Sequence, residues 1–581
     1  MIPRFLATLL LALTFLPKTP PGETDKPKLV VLVVFDQFRG DYLARWQELF
    51  THDGFARLTK DGAWFKNCHY PYGTTVTGAG HASILTGTCP DKHGIVGNDF
   101  YDWKAGTKAY CAASPMYHRV PPAPKRNTSI PPAASASEAK SSAEETRGGS
   151  PQYLLVPTFA DALKDATGGK AKVVGLSLKD RSAILPVGKQ ADVSYWLDSA
   201  DGQFVTSSYY RDSPHPWVMA FNQRRLADQW ACKEWDRLLD IDYAKYSGPD
   251  AAEGEGEGIV GKENKFRQGM TFPHPFTAGG RKDKAYYDAV VNSPAGNELL
   301  LEFVKEAVIA EQLGHHEAPD LLAVSFSSND YIGHAWGPDS QEVLDVTLRS
   351  DRLMADFLAF LDKEVGRDNY LLVMTADHGV CPLPEMSAKK HIDTKRLQLK
   401  ELADGAHEHL RKTFDKDATT KGKWFEIDPI PPWFYLNHRL IESCGLTVDE
   451  VAASLADYMV KQPGIERAFT RADLARTFGP EDPLARRVQR SFHPEHCGDV
   501  VVVSKPYYLF SDPKNPKGTT HGTPHPYDTY VPLLVFGANV KPGIREGPVV
   551  PQSAAAIFAQ ALGIKPPAAA EFPTPEGLFV K

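Results

Sequence analysis

Acidic and histidine side chains follow several strongly apolar segments of the chain, at points where buried strands are expected to end. The residues that follow such a segment are Asp36, Asp330, His334, Asp377 and His378, and His521 lies shortly before the apolar segment Val531–Gly537. In an open sheet of parallel strands, ligands bind at the carboxyl ends of the strands, so these side chains can meet at one edge. Three carboxylates and three imidazoles form a ligand set that suits zinc better than calcium. The sequence therefore predicts a zinc-binding site at this edge.

Two pairs of these residues are close in sequence, and their spacing limits how they can meet. Asp330 and His334 are four residues apart, which places both on one face of a helical turn. Asp377 and His378 are adjacent, so they converge only where the strand breaks, as Gly379 permits. Taken singly, each residue has a commoner explanation as a turn residue or a hydrogen-bonded histidine. The hypothesis depends on all of them sharing one edge.

A glycine-rich segment, TGAGHASILTG, begins with Thr77 and is predicted to run from a loop into a helix. The unpaired N–H groups at such a helix start attract an oxyanion, so Thr77 is a candidate nucleophile. Its hydroxyl is unreactive at neutral pH unless a base or a metal lowers its pKa, which a nearby zinc ion would do. The alternative is that Thr77 only caps the helix.

The apolar segments that position these residues are continuous and rich in β-branched side chains. Such runs are typical of strands buried on both faces of a sheet. Helical patterns occur at about residues 298–313 and 341–361. Strands alternating with helices predict an α/β fold with a mainly parallel central sheet flanked by helices. The predicted strands are Leu29–Phe35, Leu321–Ser328, Tyr370–Ala376, Val500–Ser504 and Val531–Gly537.

Composition excludes several classes of protein. The chain has 581 residues, of which 42% are hydrophobic and 24% charged, as is ordinary for a globular protein with a large core. A net charge of −7 provides no overall positive field, so nucleic acid is not an expected partner. The seven cysteines contain no CxxC pair, which excludes a thiolate zinc knuckle.

The N-terminus and two further segments differ in composition from the rest of the chain. Residues 1–22 place Arg4 before the apolar run FLATLLLALTFL, which predicts an export signal, with an uncleaved membrane anchor as the alternative. We therefore expect a periplasmic or secreted protein without stable membrane insertion after signal removal. Its main domain is predicted to span residues 27–581. A flexible insertion at about 112–150 and a cap-like insertion at about 382–497 are expected within it.

Several motifs occur together and in a fixed order along the chain. They are Asp36 after the first strand, TGAGHASILTG with Thr77, HGIVGNDFYD with Asn98, SLKDRSAILPVG with Lys179 and Arg181, NDYIGHAWGP, TADHG and TTHGTPHPYDTYVPL. This set closely resembles the threonine-dependent bacterial alkaline phosphatases, the PafA-like branch of the alkaline phosphatase superfamily. The resemblance extends from about Leu29 to about Gly537 and agrees with an export signal.

The resemblance implies an alkaline phosphatase-like catalytic domain that binds two Zn²⁺ ions. One zinc ion would be held by Asp330, His334 and His521. The other would be held by Asp36, Asp377, His378 and the hydroxyl of Thr77. Thr77 would accept the phosphoryl group as a covalent phosphothreonine, which water would then hydrolyse.

The resemblance also assigns the groups that bind the phosphoryl oxygens. Asn98, Lys179 and Arg181 would contact the non-bridging oxygens through an amide, an ammonium and a guanidinium. Two cations favour a dianionic monoester, because a diester carries one charge less. The implied function is the release of inorganic phosphate from small phosphate monoesters. For the oligomeric state, a monomer is slightly favoured.

Two other functions stay open. The first is a phosphodiesterase or nucleotide pyrophosphatase of the same superfamily, which would share the metals and bind a second substituent. The second is a non-catalytic metal- or phosphate-binding protein. Structural zinc sites are usually closed by four protein ligands, whereas here one metal has three and the other lies beside a hydroxyl, which argues against the second alternative.

Overall fold

The central feature of the computed structural model is a sheet of eleven strands. Across the sheet their order is β11, β2, β10, β9, β1, β8, β5, β6, β7, β3, β4, where the labels follow the chain: Leu29–Phe35 (β1), Ala63–Cys68 (β2), Ala113–Val120 (β3), Arg147–Gly149 (β4), Val173–Ser177 (β5), Val193–Asp198 (β6), Gln203–Ser207 (β7), Asp320–Phe326 (β8), Tyr370–Thr375 (β9), Leu533–Gly537 (β10) and Gly543–Val549 (β11). The structure describes residues 26–123, 147–258, 266–277, 279–415, 422–511 and 516–580.

The middle of this sheet is parallel. Strands β9, β1, β8, β5 and β6 are neighbours and all run in the same direction. Strands β10, β7 and β4 run against the others. Every residue of β1 is buried, which explains why its sequence is an unbroken apolar run. The predicted α/β fold with a mainly parallel sheet is confirmed.

Helices flank the sheet and complete its core. The pattern at 341–361 corresponds to the helix Gln341–Leu361, and the pattern at 298–313 to Pro294–Ala310, which begins earlier because Pro294 occupies its first turn. Side chains of both helices join the core that covers β1, β8 and β9. In the described part of the chain, helices of eight or more residues are Thr77–Thr86, Phe159–Ala166, Pro216–Gln223, Lys284–Val291, Pro294–Ala310, Ser328–Trp336, Gln341–Leu361, Leu399–Phe414, Val448–Met459 and Ser553–Leu562.

One predicted strand lies outside the central sheet. Val500–Ser504 is the middle strand of a small antiparallel sheet, between Trp433–Phe434 and Ile465–Thr470. Its assignment to the central sheet was wrong, although its burial on both faces was foreseen: alternate valines pack into two separate apolar clusters. An apolar run reports burial on both faces and does not identify the sheet.

The predicted insertions have the following positions. The export segment at residues 1–22 lies outside the described residues. The ends of the 112–150 interval form β3 and β4, which pair with each other, and β3 also pairs with β7; residues 124–146 lie outside the described part. In the described residues no helix is long and apolar enough to cross a membrane, and no disulfide bond joins any two of the seven cysteines.

Candidate active site

Seven of the predicted site residues come from the carboxyl ends of four neighbouring parallel strands, β9, β1, β8 and β5, whereas Thr77, Asn98 and His521 lie in other segments. Asp36 directly follows β1, and Asp377 and His378 follow β9. The helix after β8, Ser328–Trp336, carries Asp330 and His334. Lys179 and Arg181 follow β5, and Thr77 is the first residue of the helix Thr77–Thr86. This placement is what a parallel sheet requires for residues far apart in sequence to meet.

Three of these residues form a first group of ligands, which we call the Asp330 cluster: Asp330, His334 and His521. The Oδ1 atom of Asp330 lies 3.2 Å from Nε2 of His334 and 3.6 Å from Nε2 of His521. Asp330 is buried. Burial alone would raise its pKa, but His334 and Lys179 outweigh burial and hold the pKa of Asp330 well below its usual value.

A second group, the Asp36 cluster, consists of Asp36, Asp377 and His378. Nε2 of His378 lies 3.5 Å from Oδ1 of Asp36, 3.4 Å from Oδ2 of Asp377 and 3.4 Å from the hydroxyl oxygen of Thr77. All four residues are buried, and Thr77 has 1% of its surface exposed. The Thr77 hydroxyl therefore lies against the Asp36 cluster and not merely at a helix end.

The three histidines all face these clusters with their Nε2 atom, while their Nδ1 atom bonds to a backbone carbonyl. Nδ1 of His334 lies 2.7 Å from the carbonyl oxygen of Thr519. Nδ1 of His378 lies 2.9 Å from the carbonyl oxygen of Gly379, and Nδ1 of His521 lies 2.8 Å from the carbonyl oxygen of Thr75. A carbonyl oxygen only accepts hydrogen bonds, so each Nδ1 carries a proton and donates it. Each Nε2 is then left with a lone pair. Backbone carbonyls commonly orient metal-binding histidines in this way.

The two clusters fit metal ions on three grounds. Zinc bonds of about 2.0–2.1 Å in a tetrahedral arrangement separate ligand atoms by about 3.3 Å, close to the spacing within both clusters. Oδ1 of Asp36 and Oδ2 of Asp377 are buried without a hydrogen-bond partner. Burial and then the Asp377 carboxylate raise the pKa of Asp36 well above its usual value. A bound cation would satisfy both orphaned oxygens and the crowded negative charge.

Lys179 links the two clusters. Its ammonium donates to Oδ2 of Asp36 at 2.7 Å and to Oδ2 of Asp330 at 2.5 Å, and it lies over the ring of Tyr331. Burial opposes its charge, but Asp330 and Asp36 outweigh burial and raise the pKa of Lys179. Two of its three N–H groups are therefore used by the ligands, which leaves one for a substrate oxygen.

Arg181 and Asn98 use fewer of their hydrogen-bond donors within the protein. Arg181 donates from Nη1 to the hydroxyl of Tyr110 at 3.1 Å, and its Nε is buried without a hydrogen-bond partner. The Asn98 side chain accepts from the backbone N–H of Gly78 at 2.8 Å through Oδ1, which leaves its NH₂ group to donate. Both residues retain donors for an anionic ligand.

The helix that begins at Thr77 packs closely on the segment after β9. A Cβ atom on Gly80 would lie 2.3 Å from the carbonyl oxygen of Asp377, so only glycine fits there. The N–H of Gly78 is already bonded to Asn98, contrary to the expectation that the N–H groups at this helix start are free. This N–H group is therefore not free to bind an anion.

Sequence reasoning missed residues that hold the ligands. His81 donates from Nδ1 to the carbonyl oxygen of Thr77 at 2.9 Å and contacts Ser325 through Nε2 at 2.8 Å. The same Nδ1 lies 3.2 Å from Oδ2 of Asp377. The spacing of four residues from Thr77 was the available signal, because it places both on one helix face. Gln37 was not singled out at all.

A cavity of about 920 Å³ reaches the site at Asn98, His334 and His521. Its other wall contains residues from the predicted cap, including 428–432, and from the strand Val500–Ser504. The volume is ample for an organic group attached to a phosphate. The cavity therefore opens onto the Asp330 cluster, at His334 and His521.

A family model described as "Type I phosphodiesterase / nucleotide pyrophosphatase" matches residues 30–528, which is most of the chain. The chain belongs to this family. Within the family, a protein of Myroides odoratus named "Calcium-transporting ATPase" is 34% identical over 522 residues, covering 89% of this chain and 88% of that protein. "Alkaline phosphatase PafA" of Elizabethkingia meningoseptica is 32% identical over 519 residues, covering 89% of this chain and 88% of that protein.

A solved structure of this family supports the same relationship. The crystal structure of wild-type alkaline phosphatase PafA matches with a TM-score of 0.84 and 30% sequence identity, covering 96% of this chain and 100% of that chain. The resemblance to PafA-like alkaline phosphatases inferred from motifs is confirmed, and the fold is alkaline phosphatase-like.

Proposed function

We propose that this protein is an alkaline phosphatase, a metal-dependent hydrolase of phosphate monoesters that acts through a phosphothreonine at Thr77. One observation carries the proposal: the Thr77 hydroxyl lies 3.4 Å from Nε2 of His378, beside two buried carboxylate oxygens that have no hydrogen-bond partner. The 32% identity to a protein named alkaline phosphatase supports the activity. A lone helix-capping threonine would not need such surroundings.

The proposed reaction has two displacements. The Thr77 oxygen bonds to phosphorus as the bond to the alcohol breaks; a water oxygen then replaces the Thr77 oxygen, which gives an alcohol and inorganic phosphate overall. The Asp330 and Asp36 clusters would hold two Zn²⁺ ions, which supply a lowered hydroxyl pKa and neutralise developing charge when bound. Asn98, Lys179 and Arg181 orient the phosphoryl group through their remaining donors.

Monoesters are favoured over diesters by the charges near Thr77. Lys179 retains one N–H group, and Arg181 has a buried Nε without a partner. A dianionic phosphoryl group has three non-bridging oxygens to accept from these donors, whereas a diester replaces one of them by a substituent. A buried donor left without a partner is costly, so the site would bind the transition state of a diester less tightly than that of a monoester.

Removal of metal should abolish turnover. We expect dialysis against a zinc chelator to lower hydrolysis of an aryl phosphate monoester at least about 100-fold, because the Asp36 cluster then has no cation to activate Thr77. Metal content and rate should be measured together, and activity should return at two zinc ions per chain. Calcium added in place of zinc is the control. Full activity without metal, or recovery with calcium alone, would contradict the proposal.

Two further parts of the proposal concern the rest of the chain. Residues 382–497 are proposed to act as a cap, supported by their contribution to the wall of the cavity. Substrates with a smaller alcohol group should therefore be hydrolysed at a rate that differs by more than the change in the pKa of that alcohol explains. A rate that follows the pKa of the alcohol alone would argue against a cap.

Export is proposed from the basic and apolar pattern of residues 1–22. Cell fractionation that finds the protein only in the cytoplasm would refute export.

A further inference from the structure

Gln37 contacts ligands of both clusters. Its backbone N–H donates to Oδ1 of Asp377 at 3.1 Å, and its side-chain Nε2 donates to Oδ1 of Asp330 at 2.7 Å. Asp377 belongs to the Asp36 cluster and Asp330 to the other, so one residue spans the two proposed metal sites. Gln37 also directly follows Asp36 and is 3% exposed. Its contacts with the two carboxylates are therefore shielded from water.

The backbone of Gln37 is held in an unfavourable conformation. Its φ of 65° lies in the left-handed region, which residues with a Cβ adopt at a cost. The neighbouring helix makes room for the side chain, since a Cβ on Gly333 would lie 1.8 Å from Oε1 of Gln37. Strained residues of this kind persist where the surroundings hold them and concentrate at functional sites.

The Gln37 amide completes the hydrogen bonding of Asp330. Oδ2 of Asp330 accepts from Lys179, while Oδ1 is the oxygen nearest Nε2 of His334. Because a carboxylate oxygen accepts more than one bond, Oδ1 can accept from Gln37 and still face a cation. Together the two donors fix the rotation of the carboxylate. Such outer partners commonly set the affinity of a metal ligand.

We propose that Gln37 is a positioning residue that orients Asp330 for zinc and fixes the Asp330 cluster relative to the Asp36 cluster. The inference rests on the proposed function, because it assumes that both clusters bind zinc. Its side chain acts on Asp330 alone, whereas its contact with Asp377 is made by the backbone and survives substitution. Loss of the side chain should therefore weaken one zinc site and spare the other.

Two variants separate positioning from folding. Gln37→Met keeps the length and the strained backbone but has no donor; Gln37→Gly removes the donor and relieves the strain. Zinc affinities are measured by competition with a chelator, and His521→Ala identifies the release step that belongs to the Asp330 cluster. Both Gln37 variants should bind zinc there about 10–100-fold more weakly and retain the other site within about threefold. Saturating zinc should restore turnover.

The outcomes distinguish the inference from the proposed function. If the wild-type protein does not bind two zinc ions, the proposed function itself is contradicted. Wild-type binding at both sites with unchanged affinities in the two Gln37 variants would overturn the positioning role. The zinc affinities of Gln37→Gly and Gln37→Met could instead differ from each other in the same order as the unfolding temperatures of the two variants. That result would also overturn the positioning role, because a purely structural residue acts through stability.

Discussion

Replacing Thr77 with alanine is expected to lower kcat/KM for an aryl phosphate monoester by about 10⁴-fold or more. The variant has no oxygen to form the bond to phosphorus, and removal of a nucleophile that acts with a fixed set of partners eliminates nearly all of their joint effect. The measurement is steady-state hydrolysis with zinc in excess. Thr77 has a short side chain at the first position of a helix, so the fold should tolerate its loss.

Two variants control this result. Thr77→Ser keeps a hydroxyl and should remain within about tenfold of the wild-type rate. Thr86→Ala removes a buried threonine from the other end of the same helix, where its hydroxyl donates to the carbonyl oxygen of Ala82, and should leave turnover nearly unchanged. A Thr77→Ala variant as active as Thr86→Ala would exclude Thr77 as the nucleophile.

Arg181→Ala is expected to lower kcat/KM for a monoester by about 10²–10³-fold and for the matching diester by less than about tenfold. The magnitude is that of removing one preorganised donor from a site of developing charge. The two substrates differ because the monoester offers a charged oxygen to the free Nε of Arg181, whereas the diester offers a substituent. An aryl monoester and its methyl diester, assayed side by side, give the comparison.

Arg181 is a cleaner probe than Lys179. The Lys179 ammonium bonds to Asp36 and Asp330, so its removal would disturb both clusters as well as the substrate. Lys189→Ala serves as the control for a positive charge nearby in the sequence, because Lys189 is exposed and lies eight residues after Arg181. Equal losses for monoester and diester in Arg181→Ala would contradict the assignment of monoester specificity.

Much of the site could be predicted because it follows from one topological rule. Asp36, Asp330 and Asp377 each come just after an apolar run, and adjacent parallel strands deliver such residues to one edge. The helix face that unites Asp330 with His334 also follows from a spacing of four. Local sequence was informative wherever the position of a side chain depends on the end of a strand or the turn of a helix.

The remaining features depend on contacts that no local pattern encodes. The bond from Gln37 to Asp330 joins residues 293 positions apart and requires an unusual φ that favours glycine. The contact of Arg181 with Tyr110 likewise joins separate segments of the chain. Val500–Ser504 looked like a strand of the central sheet because burial on both faces is all that its composition reports. Pairing partners and outer hydrogen bonds are properties of the assembled fold.

Anomalous diffraction at the zinc absorption edge, from crystals of the wild-type protein grown with zinc and inorganic phosphate, tests the central claim most directly. We expect two peaks, one within about 2.0–2.1 Å of the Asp330 cluster ligands and one at the same distance from the Asp36 cluster ligands, with the Thr77 hydroxyl bound to the second. Peaks away from these residues, or a Thr77 oxygen that touches neither ion, would contradict the account.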